Sequence, residues 1–386
     1  MKVFDHRAGR GQDVPRLASS PAPRRAVAPV AVTVPAPAPL APVALRPLAR
    51  TAPEPEEETA TARPMMRVAD RPTTQDDYVG QEALIARIKV VVKGAVARGQ
   101  LPCHILLSGP AGFGKTTLAG IIASEIGSHI HHASGMSLRS AREVAELVQT
   151  FEPGDVFAID EIHRLPTIVQ EGLYEPLEDG MITVTSPSAT HKIEVAPFVL
   201  VGMTTRPGDL SDPLRDRFGY HGVLAPYSED ELAEIVRRTW SSAGVVERGR
   251  AAVAVAERCK GVPRIAVRLA RLVEDAGWAS GLTTAEGTTE VDEETTRLAL
   301  EHFGIWHYGL DEVDRRILAA LAERYNGGPV GIANLARALD VDEGVIADEH
   351  EAALVRADMM VTSPRGRALT SHGWEIYEEM KKEGVL

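Results

Sequence analysis

The chain has only two cysteines among 386 residues. Cys103 and Cys259 lie far apart and in no Cys-x-x-Cys pattern, which excludes a disulfide framework and a thiolate metal centre and points to a reducing, cytoplasmic setting. No uninterrupted apolar run reaches ~18 residues, which argues against a membrane span. The N-terminal region has no compact apolar core with a small-residue cleavage site, so it does not read as a signal or transit peptide. No internal repeat is visible. Positive charge is in short supply: 42 Lys and Arg face 54 Asp and Glu, a net charge of −12. Phosphates are repelled by such a surface, so any nucleic acid must be met by one local basic strip. The rest of the composition is ordinary, with 44% hydrophobic and 25% charged residues, and the length suffices for two or three cores.

Residues 1–66 stand apart. The stretch "APVAVTVPAPAPLAPVALRPLAR" lacks period 2 or 3.6 and cannot build a packed core. In residues 1–50 one Lys and seven Arg face two Asp, a net +6 that leaves −18 for the remainder. This Pro/Ala-rich segment reads as a solvated extension, with a basic tether for DNA or a partner as the alternative. From Arg71 onward, apolar strands alternate with helices. "CHILLSG", "HIHHAS", "DVFAID" and "PFVLVGMTT" read as strands. "EALIARIKVVVKGAVARG", "GKTTLAGIIASEIG" and "SAREVAELVQTF" read as helices, the last opened by a capping box of Ser140 and Glu143. This alternation predicts a parallel sheet covered on both faces, an α/β domain over 67–226. Within it, 181–195 alternates and turns like an exposed β-hairpin. A second capping box, Ser228 and Glu231, opens a helical region expected over 227–306 and interrupted by a polar loop at 281–290. From 307 to 386, short helices precede the strand–turn–strand pattern "DMMVTSPRGRALTSHG", which suggests a winged helix.

The chemistry concentrates between these elements. Gly109-x-x-x-x-Gly114-Lys115-Thr116 follows a strand and opens a helix, the context in which glycine N–H groups and a helix N-terminus cradle phosphates. Lys115 would reach the β- and γ-phosphates, and the Thr116 hydroxyl would hold Mg²⁺. The third strand ends in Asp160-Glu161 at the sheet edge where such folds place ligands. Asp160 would take Mg²⁺ and Glu161 would polarise the attacking water, which indicates ATP hydrolysis. The fourth strand delivers Thr204-Thr205-Arg206, with Thr205 placed to sense the γ-phosphate or simply to cap the strand. In "PLRDRFG", Arg215 or Arg217 would act across a subunit contact or form surface salt bridges. Arg264, at a helix start, would contact phosphate or nothing. His129, His131 and His132 do not read as a metal site, since no carboxylate or cysteine accompanies them and only two share a strand face. His163 reads as a structural or sensor residue, not a base.

The order of these motifs is similar to that of the RuvB family of bacterial Holliday-junction branch-migration motors. "RPTTQDDYVGQ", "GPAGFGKTTLA", "DVFAIDEIHRL", "LYEPLED", "LVGMTTRPGDLSDPLRDRFG", "GVPRIAVRLARLV", "GLDEVDRRIL", "GGPVGIANLA" and "SPRGR" carry the resemblance from about residue 70 to 370. It implies an AAA+ P-loop NTPase sheet domain, a helical lid and a C-terminal winged helix, working as a hexameric ring on duplex or four-way junction DNA with RuvA and RuvC. It implies that Arg71, Tyr78 and Tyr227 neighbour the adenine. Gly109, Gly112, Gly114, Lys115, Thr116 and Thr117 match the phosphate cradle, and Glu178, Asp179 and Gly180 a loop near the nucleotide. Arg217 matches the finger acting in trans, ahead of Arg215, and Arg264 the second sensor. In the wing, Arg365 and Arg367 match contacts to the DNA backbone, where cations on a tight loop suit phosphate. The chain departs from the family at Ala111 and Phe113, in a shorter hairpin carrying His191, at Thr362, and in its Pro-rich extension. The shortened hairpin motivates an alternative reading, an ATP-switched loader that places a partner protein on DNA without translocating.

Overall fold

The computed structural model describes residues 72, 74, 76–185, 190–282 and 288–386. Arg71, the N-terminal extension and the hairpin tip at 186–189 lie outside the described residues. The α/β domain runs α1 (Glu82–Ala97), β1 (Ile105–Ser108), α2 (Lys115–Ile126), β2 (Ile130–Ser134), α3 (Ala141–Val148), β3 (Val156–Asp160), α4 (Thr167–Glu178), the hairpin strands β4 (Met181–Thr185) and β5 (Thr190–Glu194), then β6 (Val199–Thr204), α5 (Asp212–Arg215) and β7 (Tyr220–Val223). Five strands form one parallel sheet in the order β2-β3-β6-β1-β7.

The apolar runs explain why this sheet is buried on both faces. Ile105 and Leu107 point into one core with Leu118, Ile121 and Ile122 of α2, while Leu106 points into the other with Val144 and Leu173. Successive side chains on a strand take opposite faces, so a strand covered twice must be apolar throughout. The edge strand β7 was not legible in sequence, because only Gly222 among its residues is buried and "YHGV" shows no apolar run. Of the two expected capping boxes, Ser228 and Glu231 form both reciprocal bonds. At Ser140 only half forms: its hydroxyl accepts from Glu143 N, while the Glu143 carboxylate accepts from Arg139 N at 2.8 Å.

The lid comprises α6 (Glu229–Ala243), β8 (Val245–Glu247), α7 (Ala251–Ala256), α8 (Pro263–Ala279), β9 (Thr289–Val291) and α9 (Glu293–His302). The region was expected to be helical apart from a polar loop at 281–290, but Val245–Glu247 and Thr289–Val291 pair as short parallel strands. Its core is continuous with one face of the sheet through Leu232, Val236 and Trp240. The C-terminal domain contains α10 (Glu312–Ala319), α11 (Ile332–Leu339), α12 (Glu343–Val345) running through Ile346–Glu351 into α13 (Ala352–Arg356), the antiparallel hairpin β10 (Met360–Ser363) and β11 (Gly366–Leu369), and α14 (Ser371–Glu383). It has its own core around Leu318, Leu335, Leu354 and Ile376. Among the described residues no helix is long and apolar enough to cross a membrane.

Candidate active site

The loop between β1 and α2 is tied at its start to the neighbouring strand. Gly109 N donates to Thr204 O at 3.2 Å, which brings the loop beside the C-terminal end of β6. Gly112 and Gly114 adopt φ of +80° and +93°, a region that side chains other than glycine rarely enter. Space excludes a side chain there as well: a Cβ at Gly114 would lie 2.6 Å from the Tyr78 hydroxyl, and one at Gly112 would lie 2.9 Å from Val262 Cγ1. The loop thus presents backbone at the start of a twelve-residue helix.

Lys115 folds over this loop and donates from Nζ to the carbonyls of Gly109 at 2.7 Å and Pro110 at 2.9 Å. Burial pushes its pKa down, and Glu161 and Asp160 pull it back. A partly desolvated ammonium held only by carbonyls is a receptor for an anion. The cleft beside it, about 1150 Å³, is lined by Gly112, Lys115, Thr116, Thr117, Asp160 and Glu161 from the α/β domain. Tyr78, Tyr227 and Arg264 line its other walls. Tyr227 donates to the Tyr78 hydroxyl at 2.9 Å and Tyr78 in turn donates to Phe113 O at 3.4 Å, a relay that braces the loop. Arg264 N donates to Gly112 O at 3.3 Å, so the lid touches the loop directly.

The carboxylates stand where β3 ends. Asp160 Oδ2 accepts from Thr116 Oγ1 at 3.4 Å. Glu161 has φ +48°, unusual for a residue with a side chain, and such backbone is kept where surrounding contacts enforce it. Thr205 Oγ1 donates to Glu161 Oε2 at 3.0 Å. His163, expected only as a structural or sensor residue, reaches the same Oε2 at 3.2 Å and Thr204 Oγ1 at 2.9 Å through Nδ1. Its pKa is lowered by burial, which favours the neutral ring beside Glu161. A hydroxyl and a divalent ion's natural oxygen donors therefore meet at the phosphate loop, and Thr116 with Asp160 fits Mg²⁺ in ligand type.

Gly109 and Thr205 stand just behind this lining, Gly109 bonded to the end of β6 and Thr205 to Glu161, and four further expected residues lie away from it. Arg217, Glu178, Asp179 and Gly180 do not line it in the same chain. Instead Arg217 donates to Glu178 Oε2 at 2.6 Å and to Pro213 O at 2.7 Å, with its guanidinium 4.3 Å from the Tyr174 ring centroid. The turn at Glu178–Gly180 thus shares a surface with Arg217. Arg215 pairs locally with Asp212.

The wing separates its two arginines. Arg365 is exposed in the turn between β10 and β11, whereas Arg367 is held by Glu351 at 2.9 Å from Nε and 2.8 Å from NH2. Arg367 is thus paired within the domain in this conformation, beside the exposed Arg365. The histidine stretch also needs correction on one point. Asp155 Oδ2 lies 2.7 Å from His131 Nε2, a carboxylate that adjacent sequence does not offer.

Sequence reasoning missed Arg268 and Arg271, which line the cleft with Arg264. Their signal was present in "PRIAVRLARL": positions four and seven after Arg264 share its helical face. In a chain of net charge −12, this stripe faces the phosphate loop and complements a polyanionic ligand.

Comparison with known proteins agrees along the described chain. Residues 70–224 match the family model of the Holliday junction DNA helicase RuvB P-loop domain, 227–305 the RuvB AAA lid domain, and 307–378 the RuvB C-terminal winged helix domain. The chain is 40% identical over 319 residues to the Holliday junction branch migration complex subunit RuvB of Saccharopolyspora erythraea, covering 82% of this chain and 89% of that one. Against the corresponding subunit of Thermotoga maritima the identity is 40% over 317 residues, covering 81% and 92%. The structure of the Thermotoga maritima RuvB Holliday junction branch migration motor superposes with a TM-score of 0.71 at 38% identity, covering 80% of this chain and 98% of that one.

Proposed function

Because the chain belongs to the RuvB family, we propose that it is an ATP-hydrolysing AAA+ motor that drives branch migration of Holliday junctions in DNA recombination and repair. The observation that carries the reading is the convergence of Lys115, Thr116, Asp160 and Glu161 on one cleft roofed by Arg264. ATP occupies that cleft with its phosphates on the 109–117 backbone and Lys115, and its base towards Tyr78 and Tyr227. Thr116 and Asp160 would hold a Mg²⁺ ion, which would supply charge neutralisation at the phosphates. Glu161 accepts a proton from the attacking water, with Thr205 and His163 fixing the orientation of its carboxylate. Thr205 also faces the terminal phosphate.

Arg217 completes the site of a neighbouring subunit. It is anchored on Tyr174 and Glu178, cannot serve its own cleft from there, and stabilises transferred phosphate charge across an interface. Glu178–Gly180 belongs to the same intersubunit surface. This makes a ring the working form, and the family reading makes it hexameric. The 67–226 part hydrolyses ATP, the 227–306 lid moves, and the 307–386 winged helix holds duplex or four-way junction DNA through Arg365. A RuvA-like protein would engage the 181–195 hairpin, whose base is fixed by Lys192 and Thr183 on Glu175 at 2.9 Å each. The cysteine usage suits a cytoplasmic protein.

Steady-state ATPase rates with four-way junction, linear duplex and single strand, each with and without RuvA, test this reading. Junction-stimulated turnover coupled to strand displacement on a forked duplex is expected. Good turnover without any DNA movement would instead favour the loader that places a partner without translocating.

A further inference from the structure

The winged-helix domain reaches the back of the nucleotide cleft through one buried carboxylate. Asp314 is fully buried, although its position in "GLDEVDRRIL" accounts only for a capping role. It performs that role, accepting from Asp311 N at 3.1 Å. Its carboxylate is also shared with two cations or cation-forming groups: His350 Nδ1 lies 2.8 Å from Oδ1, and Lys260 of the lid pairs with Oδ2. A carboxylate removed from water persists only with such partners, so this bridge is a constraint on where Lys260 can sit.

Lys260 begins a tight turn. Its own φ is +52°, Gly261 follows at +75°, and Arg264 lies four residues on at the start of α8. The opposite side of the turn rests on the phosphate loop. Tyr227 N donates to Gly261 O and Arg264 N donates to Gly112 O, each at 3.3 Å, and Val262 closes the space over Gly112. Residues 260–264 are thus clamped between the winged helix and the phosphate cradle. Other contacts join the winged helix to the α/β domain: Asp348 with Arg206 at 3.3 Å, where both side chains are solvated and such pairs constrain little, and the Arg356 guanidinium 6.0 Å from the Phe113 ring centroid.

We propose that Asp314 is a positioning residue for the ATPase site, seating the 260–264 turn through Lys260 so that Arg264 is held against the phosphate loop. The winged helix therefore contributes to nucleotide affinity in its own chain, apart from any contact with DNA. The inference rests on Arg264 contacting nucleotide.

The test uses the full chain, with ATPase kinetics and titration of a fluorescent ATP analogue on Asp314→Asn, Lys260→Met, Lys260→Arg, Asp348→Asn and Arg264→Ala. Asp314→Asn and Lys260→Met are expected to raise KM and Kd about fivefold or more while kcat falls less than about twofold. Lys260→Arg restores affinity, and Asp348→Asn matches wild type. A purely structural role would lower kcat with the folded fraction and leave KM alone. Lys260→Met conserves volume, so it decides the matter if Asp314→Asn fails to fold. Unchanged KM and Kd in folded Lys260→Met, or an equal loss in Asp348→Asn, overturns the proposal. Arg264→Ala examines the underlying reading by itself: if it binds nucleotide normally, that reading fails whatever the Asp314 and Lys260 variants do.

Discussion

The hydroxyl of Thr205 donates to the Glu161 carboxylate at 3.0 Å, joining the end of β6 to the end of β3. That bond aims a side chain whose backbone already sits at φ +48°. Thr205→Val removes the donor at nearly constant volume. It is expected to lower kcat by about tenfold with nucleotide Kd unchanged. Wild-type turnover in this variant would show that Glu161 is aimed by other groups.

Lys115→Ala removes the ammonium that lies on the 109–110 carbonyls. Hydrolysis should fall to background, on the order of a hundredfold or more. Far-UV circular dichroism should stay unchanged, because the lost contacts are to loop carbonyls near water. Turnover at the wild-type rate would place the phosphates elsewhere.

Arg217→Ala should retain nucleotide binding and lose hydrolysis by about a thousandfold. Mixed with Glu161→Gln, it should regain part of the activity, because some interfaces then pair an intact Glu161 with an intact Arg217. The mixing curve is the measurement. A flat curve at every ratio is the result that a site confined to one chain would give.

The wing arginines should behave differently. Arg365→Ala should weaken duplex binding with little sequence dependence and reduce the salt slope by about one. Arg367→Ala leaves Glu351, mostly buried beside it, without its partner. Its first effect should be a lower melting temperature of the winged helix. Equal loss of DNA affinity at equal stability in both variants would argue that Arg367 leaves Glu351 when DNA binds.

His350 gives a pH dependence with a definite sign. Its ring faces Asp314, Asp311 and Lys260, and the hydrogen bond to Asp314 raises its pKa above 6.5 despite burial. A raised pKa means the folded state binds the proton more tightly, so the stabilisation is complete below the unfolded value near 6.5 and fades as pH climbs through the folded value. Asp314, whose pKa is lowered, stays ionised over that window. The melting-temperature difference between wild type and His350→Gln should therefore be larger at about pH 6 than at about pH 8.5. Calorimetry at the two pH values checks this, and a difference that grows with pH would contradict it.

Much of the site was legible because its chemistry is local. The phosphate loop needs glycines at fixed spacing and a helix directly after, and the acidic pair needs only an apolar strand to deliver it. The stripe Arg264, Arg268 and Arg271 was equally legible through helical spacing, although only its first member was singled out. Strand β7 was hidden because an edge strand needs no apolar run, and β8 with β9 because three-residue strands carry too little pattern against strongly helical neighbours.

By itself the sequence determined the order of the three domains, the phosphate loop and the carboxylates, since each is specified by residues close together in the chain. Tertiary structure alone decided which cations are free and which are committed. Arg367 meets Glu351, Arg217 meets Glu178, and Lys260 meets Asp314, over separations of 16, 39 and 54 residues. Charge acts through space and burial, and neither the distance between two groups nor the water removed around them is written in their separation along the chain.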